Sequence, residues 1–246
     1  MTDDVTRADE PPGALEPPGA PEAGPVASIH DPRALQILTA EHASLQTARS
    51  LAYNESFTRG GMFLAFMSTS FVALALIAQA VPIGRDFLIV TAVVLAFDLV
   101  LGLTTYGRIV RANFEDYRAV HAMTRIRHGY GEIAPAILPY LTSSTHDDLA
   151  GVMVDYGDPP TRGPGLVVYQ LTTSGGMINL IVSMLGGVLA LVVSLIFGAS
   201  VAAAFGVAAL VSVAIFAVLG ALTMRFFLKV QVELEVLFPT PPTEPV

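Results

Sequence analysis

The chain of 246 residues has no cysteine and few charged residues. The lack of cysteine excludes disulfides, thiolate metal sites and a cysteine nucleophile. Only 14% of the residues are charged, Lys229 is the single lysine, and the net charge is −8. This balance argues against electrostatic nucleic-acid binding and against a polybasic anchor on a membrane surface. The hydrophobic share, by contrast, is 53% and the mean hydropathy is +0.61. So much apolar surface exceeds the need of one soluble core and predicts membrane spans.

Both ends of the chain are rich in proline. Residues 1–31 contain seven acidic residues and one arginine, and little that a core could bury. We therefore expect this segment to be disordered. Its acidic start, with no apolar stretch behind it, is not typical of a signal peptide. Residues 226–246 are expected to form a C-terminal cytoplasmic tail.

Four apolar runs are long enough to cross a bilayer, which takes about 20 helical residues. The predicted spans are residues 61–83, 86–106, 175–197 and 200–225. The last two belong to an uncharged run of 48 residues, Met177–Met224. As one helix it would be about 72 Å long, more than twice the thickness of a bilayer core. It must therefore fold back, and Gly198–Ser200 is the predicted turn.

Basic residues near the span ends predict the orientation. Arg85 alone lies between the first two spans, whereas nine basic residues lie on the other side of the membrane. These nine are Arg49, Arg59, Arg108, Arg111, Arg118, Arg125, Arg162, Arg225 and Lys229. The positive-inside rule then places both termini on the cytoplasmic side of a bacterial inner membrane.

The cytoplasmic segments are predicted to be helical. Asp31 as N-cap and Pro32 at the first helical position favour a helix over residues 32–60. A helical extension of the second span over residues 107–132 would pack against it as an antiparallel stalk of about 35–40 Å. Residues 133–174 are expected to form a short helix and loop. The capping candidates for that helix are Ser144, Thr145, Asp147 and Asp148. Residues 166–171 are the best strand candidate. The predicted class of the whole chain is an all-α membrane protein with two helical hairpins.

One acidic residue, Asp98, lies inside the second span. An aspartate at mid-span costs about 2.5–3.5 kcal/mol on insertion scales, so it needs a partner, a wet cavity or a proton. We expect hydroxyl groups of neighbouring spans at similar depth: Ser68, Thr69, Ser70 and Ser183. Two interpretations stay open. The cluster is either a proton- or cation-handling site or an interhelical hydrogen bond that fixes the first span against the second.

Small residues recur every four positions on the last two spans. They are Gly186, Ala190, Ser194 and Gly198 on the third span, and Ser200, Ala204, Ala208 and Ser212 on the fourth. Such stripes let helix backbones approach closely. They favour packing between the two spans, with homo-oligomerisation as the alternative.

Other chemistry finds little support in the sequence. His121, His128 and Glu132 share one helical face, but their spacing is looser than that of a zinc motif. No nucleotide-binding loop or catalytic motif is present. We therefore predict no metal, no cofactor, no catalytic residue and no enzymatic activity.

Three stretches resemble a known family: "LQILTAEHASLQTARSLAYNESFTRGGMFL", "DYRAVHAMTRIRHGYGEIAPAILPYL" and "THDDLAGVMVDYG". They are similar to an uncharacterised family of bacterial, mostly actinobacterial, four-span integral membrane proteins. The resemblance covers about residues 34–225, and it implies the topology and no activity.

Two function classes follow. The first is a non-enzymatic membrane scaffold or sensor, whose cytoplasmic stalk meets a protein partner or a second copy of the chain. The alternative is an oligomeric channel or proton conduit that uses Asp98. The bilayer is a partner in both cases, and nucleic acid in neither.

Overall fold

The computed structural model describes residues 28–157 and 164–241. Within these ranges the chain is all-helical and has no strand, which confirms the all-α part of the predicted class. The elements are α1 (Pro32–Ala80), α2 (Arg85–Ile133), a 3₁₀ turn (Pro135–Tyr140), α3 (Leu149–Val154), α4 (Pro164–Thr172), α5 (Ser174–Ile196) and α6 (Val201–Glu233). Four of them, α1, α2, α5 and α6, are long and apolar enough to cross a membrane. Most of the predicted disordered segment, residues 1–27, lies outside the described ranges.

Helices α1 and α2 each run without a break through regions predicted separately as a cytoplasmic helix and a span. Each has 49 residues, or about 74 Å of helix, more than twice the bilayer core. The start of α1 is as predicted, because the Asp31 side chain accepts a hydrogen bond from the Arg33 amide at 2.9 Å. Helix α1 ends shortly before Pro82 and α2 shortly before Pro135, since a proline disfavours helical geometry in the residue before it.

One face of α1 turns inward along nearly its whole length. Its less exposed residues follow spacings of three and four, which keep side chains on one side of a helix. They are Ala34, Leu38, His42, Leu45, Arg49, Ala52, Ser56, Gly60, Phe63, Met67, Ser70 and Leu74. Helix α1 packs on α2 through this face, α2 packs on α5, and α5 packs on α6.

The turn between α5 and α6 lies where the sequence placed it. Gly198 has a positive φ of 81°, which a residue without a Cβ adopts without strain. The Gly198 amide bonds the Leu195 carbonyl, and the Ala199 amide bonds the Ser194 carbonyl. Ser200 then caps α6 by accepting from the Ala203 amide. Helix α6 continues to Glu233, so the predicted C-terminal tail begins as helix.

The buried apolar residues form two clusters at different heights. One lies among the apolar runs and consists of Phe63, Leu95, Tyr106, Ile109, Ile178, Val182, Leu185 and Val192. The other consists of Phe114, Tyr117, Val120, Val152 and Val230 and joins α2 and α6 to the short α3. Only 6% of the most apolar window of α6 is buried, as expected for a helix that presents its side chains to lipid.

Two local predictions were wrong. Residues 166–171 belong to helix α4 and form no strand. The cap of α3 is Asp148 alone, whose carboxylate accepts from the Gly151 amide at 3.0 Å. Ser144 instead accepts from the His146 amide in the preceding loop, and Asp147 turns to the C-terminal segment.

Candidate functional site

Asp98 is completely buried between the helices. Ser70 of α1 donates a hydrogen bond to its Oδ1 at 3.1 Å, so this acid and hydroxyl meet as the sequence suggested. Within the described residues Oδ2 has no hydrogen-bond partner. A buried carboxyl oxygen without a partner is costly in a low-dielectric interior.

The other predicted hydroxyls do not join this pair. Ser68 and Thr69 are exposed, and Thr69 donates to the Ala65 carbonyl of its own helix. Ser183 is buried but donates to the backbone carbonyl of Asn179 at 2.7 Å. The intramembrane polar contact therefore consists of one serine and one aspartate rather than a cluster of five residues.

Asn179 is a buried amide that the sequence reasoning missed. Its Nδ2 donates to the Phe216 carbonyl of α6 at 3.3 Å, and its Oδ1 accepts from Ser183. The amide thus links α5 to α6 within the apolar region. An asparagine two residues into the uncharged run was the available signal.

Helices α5 and α6 approach each other closely at Gly187, one residue from the predicted stripe. A Cβ on Gly187 would lie 1.9 Å from Ser212 Oγ and 2.7 Å from the Ala208 carbonyl oxygen. A Cβ on Gly186 would meet Ile215 Cδ1 at 2.3 Å. Gly186 of the predicted stripe is therefore a packing position. The position that most requires glycine, however, is Gly187, which lies outside the four-residue spacing.

The remaining stripe residues have more local roles. Ala204 is completely buried, and Ala190 is partly buried. Ser194 donates to the Ala190 carbonyl of its own helix. Gly198 and Ser200 belong to the turn between the two helices, so the packing face is shorter than predicted.

A polar centre outside the predicted spans joins α1, α2 and the chain after α3. Asp116 is buried, and Arg49 Nε donates to its Oδ1 at 2.5 Å. Two phenols donate to its Oδ2, Tyr156 at 2.6 Å and Tyr53 at 3.2 Å. Burial and the neighbouring carboxylate raise the pKa of Tyr156, so this phenol keeps the proton that it donates. Arg49 Nη2 is a further donor at 3.4 Å from Oδ2, so four donor atoms stabilise one buried carboxylate.

Asp147 holds the C-terminal segment. Its carboxylate accepts from the Phe238 amide at 2.7 Å, the Leu237 amide at 3.0 Å and Arg125 Nε at 2.7 Å. Burial by itself raises the pKa of Asp147, but these donors together hold it below its ordinary value. The Phe238 ring also stacks on His128 with centroids 3.8 Å apart. This part of the predicted C-terminal tail is therefore tied to the loop before α3.

The two histidines considered as metal ligands face different carboxylates. His121 Nε2 faces Asp147 at 3.9 Å, whereas His128 Nε2 faces Glu132 at 3.6 Å. In the described part of the chain no group of three histidine, aspartate or glutamate residues could hold a metal ion.

A cavity of about 1170 Å³ extends from the polar centre toward the apolar part of α5 and α6. It was not predicted from the sequence, because residues from six helices and the loops beside them form it. Its lining consists of Tyr53, Tyr106, Val110, Asn113, Phe114, Asp116, Tyr117, Asp148, Leu149, Ala150, Met153, Tyr156, Tyr169, Thr173, Ser174, Gly175, Gly176, Asn179, Gly220, Thr223, Met224 and Phe227. The lining is mostly apolar and aromatic, which is typical of a binding pocket for an organic molecule.

The chain matches no protein-family model, no curated protein and no solved structure. The chemistry of these sites is therefore argued from their own geometry.

Proposed function

We propose that the protein is a non-enzymatic scaffold or sensor of the bacterial inner membrane, with four spans and both termini in the cytoplasm. Its two helical hairpins would be α1–α2 and α5–α6, and the cytoplasmic halves of α1 and α2 would form an interaction stalk. The expected family is the one that the three sequence stretches resemble, the uncharacterised four-span integral membrane proteins of bacteria.

The Arg49–Asp116 pair carries this proposal. It joins α1 to α2 about three turns beyond the predicted span, where a bilayer no longer holds the helices together. Glu55 and Arg108 add a second link between the same helices at 3.0 Å, closer to the span. Such contacts support a stalk that transmits a change in the membrane region to a surface in the cytoplasm.

Two long-range contacts support the hairpins. Groups that touch must lie on the same side of a bilayer. Arg49 and Asp116 lie on either side of the first two predicted spans, and Asp147 and Leu237 lie on either side of the last two. Each pair of spans must then cross the membrane an even number of times.

The lack of cysteine provides a clean test of this topology. Single cysteines would be introduced at Ile83, Ala199 and Ser50 and labelled in whole cells with a maleimide that does not cross membranes. We expect labelling at positions 83 and 199 in intact cells, and at position 50 only after permeabilisation. Labelling of position 50 in intact cells would overturn the orientation.

The stalk function needs a test of its own. Ile37 and Leu51 are 58% and 65% exposed and lie within about 40° of each other around α1, at 100° per residue. A photo-crosslinking amino acid at either position should join the stalk to a second copy or to one discrete protein partner. The matched control is Val93, which is 65% exposed in the second predicted span. If all three positions give the same products, the stalk is not an interaction surface.

The alternative, a channel or proton conduit, is favoured by one observation. The buried Asp98 carboxyl has an oxygen that no described group satisfies. In proteoliposomes with a pH-sensitive dye, a conduit should lose flux in Asp98→Asn and keep it in Ser70→Ala, which removes only the hydrogen bond. Wild-type flux no greater than that of empty liposomes would eliminate this alternative.

A further inference from the structure

The charged residues in the described lining of the cavity beside Asp116 are all acidic. Asp116 and Asp148 are the carboxylates of its lining, and no lysine, arginine or histidine belongs to the described lining. Arg49 compensates Asp116 from outside the lining, whereas the carboxylate of Asp148 accepts from the Gly151 amide and the Thr240 hydroxyl, both neutral. A bound anion would therefore approach a carboxylate with no cation in the described part of the cavity wall to offset the repulsion.

Aromatic rings form much of the same wall. Five tyrosines and two phenylalanines line the cavity. The face of such a ring attracts organic cations, and the attraction grows when the site is shielded from water. Leu149, Met153 and Met224 supply apolar surface between the rings.

The size of the cavity sets the class of ligand. Its volume of about 1170 Å³ exceeds the range of about 300–1,000 Å³ found for most small-molecule pockets. It reaches from Asp148, outside the predicted spans, to Gly220 and Thr223 within the fourth one. A ligand that fills it must therefore have a bulky apolar body and a polar end.

We propose that this cavity binds an amphipathic organic cation, with the apolar body among the aromatic side chains and the cationic group near Asp148. The inference rests on the sensor function proposed above, for which it supplies the ligand. Two sources share this chemistry: a lipid with an amine headgroup from the cytoplasmic leaflet, and a soluble hydrophobic amine.

The absence of tryptophan permits a direct binding measurement. Phe227→Trp places a single tryptophan in the cavity wall, and Phe205→Trp places a single tryptophan on the exposed part of the same helix. Purified protein would be titrated with tetraphenylphosphonium and, separately, with tetraphenylborate, ions of nearly equal shape and opposite charge. We expect a saturable change only at position 227 and only with the cation. No saturable change with the cation, or an equal response to the borate, overturns the proposal.

Two pairs of variants locate the binding. Gly220 and Gly206 both lie on α6, and a Cβ at either would meet nothing within 4 Å, but only Gly220 lines the cavity. Gly220→Phe should abolish the binding measured by equilibrium dialysis, and Gly206→Phe should leave it unchanged. Asp148→Asn keeps a good N-cap and removes the charge, so affinity should fall about three- to tenfold. Equal binding in both glycine variants contradicts the assigned site.

Native mass spectrometry distinguishes the two sources. A co-purified lipid with a net positive headgroup that tetraphenylphosphonium displaces identifies the lipid, whereas a lipid-free protein that binds the probe indicates a soluble amine. An anionic lipid bound one-to-one and displaced by tetraphenylborate would overturn the inference. Failure of these experiments leaves the stalk cross-links at Ile37 and Leu51 untouched, so the two proposals fail separately.

Discussion

Replacing Gly187 by alanine should force α5 and α6 apart. The added Cβ would lie 2.7 Å from the Ala208 carbonyl oxygen, whereas ordinary carbon–oxygen contacts are about 3.3–3.6 Å. The helices must therefore separate by about 0.6–0.9 Å at this point. The Ser212 hydroxyl, at 1.9 Å from the same Cβ, must move as well. Overpacking of this kind costs about 1–3 kcal/mol, and the obstructing backbone oxygen places Gly187→Ala in the upper half of that range.

The measurement is the free energy of unfolding in mixed detergent micelles, titrated with a denaturing detergent and followed by circular dichroism. Gly206→Ala is the matched control, because its Cβ would lie in open space on the neighbouring helix. It should be neutral or stabilising by up to about 1 kcal/mol, since alanine favours a helix more than glycine does. Adding Ser212→Ala to Gly187→Ala should recover only part of the loss, because the carbonyl remains. Equal stability of Gly187→Ala and Gly206→Ala would refute the close approach of these helices.

Three further predictions concern the polar groups outside the spans. Tyr156→Phe removes a donor to the buried Asp116 carboxylate and should lower the unfolding free energy by about 1.5–3 kcal/mol in the same titration, whereas Tyr169→Phe should change it little. Asp147→Asn should free the C-terminal segment, seen as increased mobility of a nitroxide at Pro241; unchanged mobility would contradict the docking. The pKa of folded Asp147 lies below its ordinary value of 3.8, so its stabilisation is present above that pH and is lost as the pH falls through the folded value. The nitroxide should therefore stay immobile from pH 5 to 8 and become mobile only when the pH falls through the folded-state pKa, which lies below 3.8.

Periodic and compositional signals predicted much of the fold. The apolar runs located the four candidate span helices, because a helix must satisfy its own backbone groups in lipid. Asp31 and Pro32 located the start of α1, and Gly198–Ser200 located the turn between α5 and α6. These features depend on local residues, so the local sequence contains the information.

Features that depend on distant contacts were missed. Asp147 and Asp148 have the same side chain, and only the position of the C-terminal segment decides that one caps α3 while the other binds Leu237 and Phe238. The Ser70–Asp98 bond was foreseen from depth alone, but depth does not fix rotation about the helix axis, which turns Ser68 and Thr69 away. The cavity needs six helices at once, and no local pattern contains it.

The contact between Asp147 and Leu237 also bears on the order in which the protein is made. The two residues are 90 positions apart. At about 5–20 residues per second, Asp147 is synthesised about 5–18 s before Leu237. Both α5 and α6 are produced in that interval. The loop before α3 can therefore bind the C-terminal segment only after α5 and α6 have been synthesised, so this contact is among the last to form.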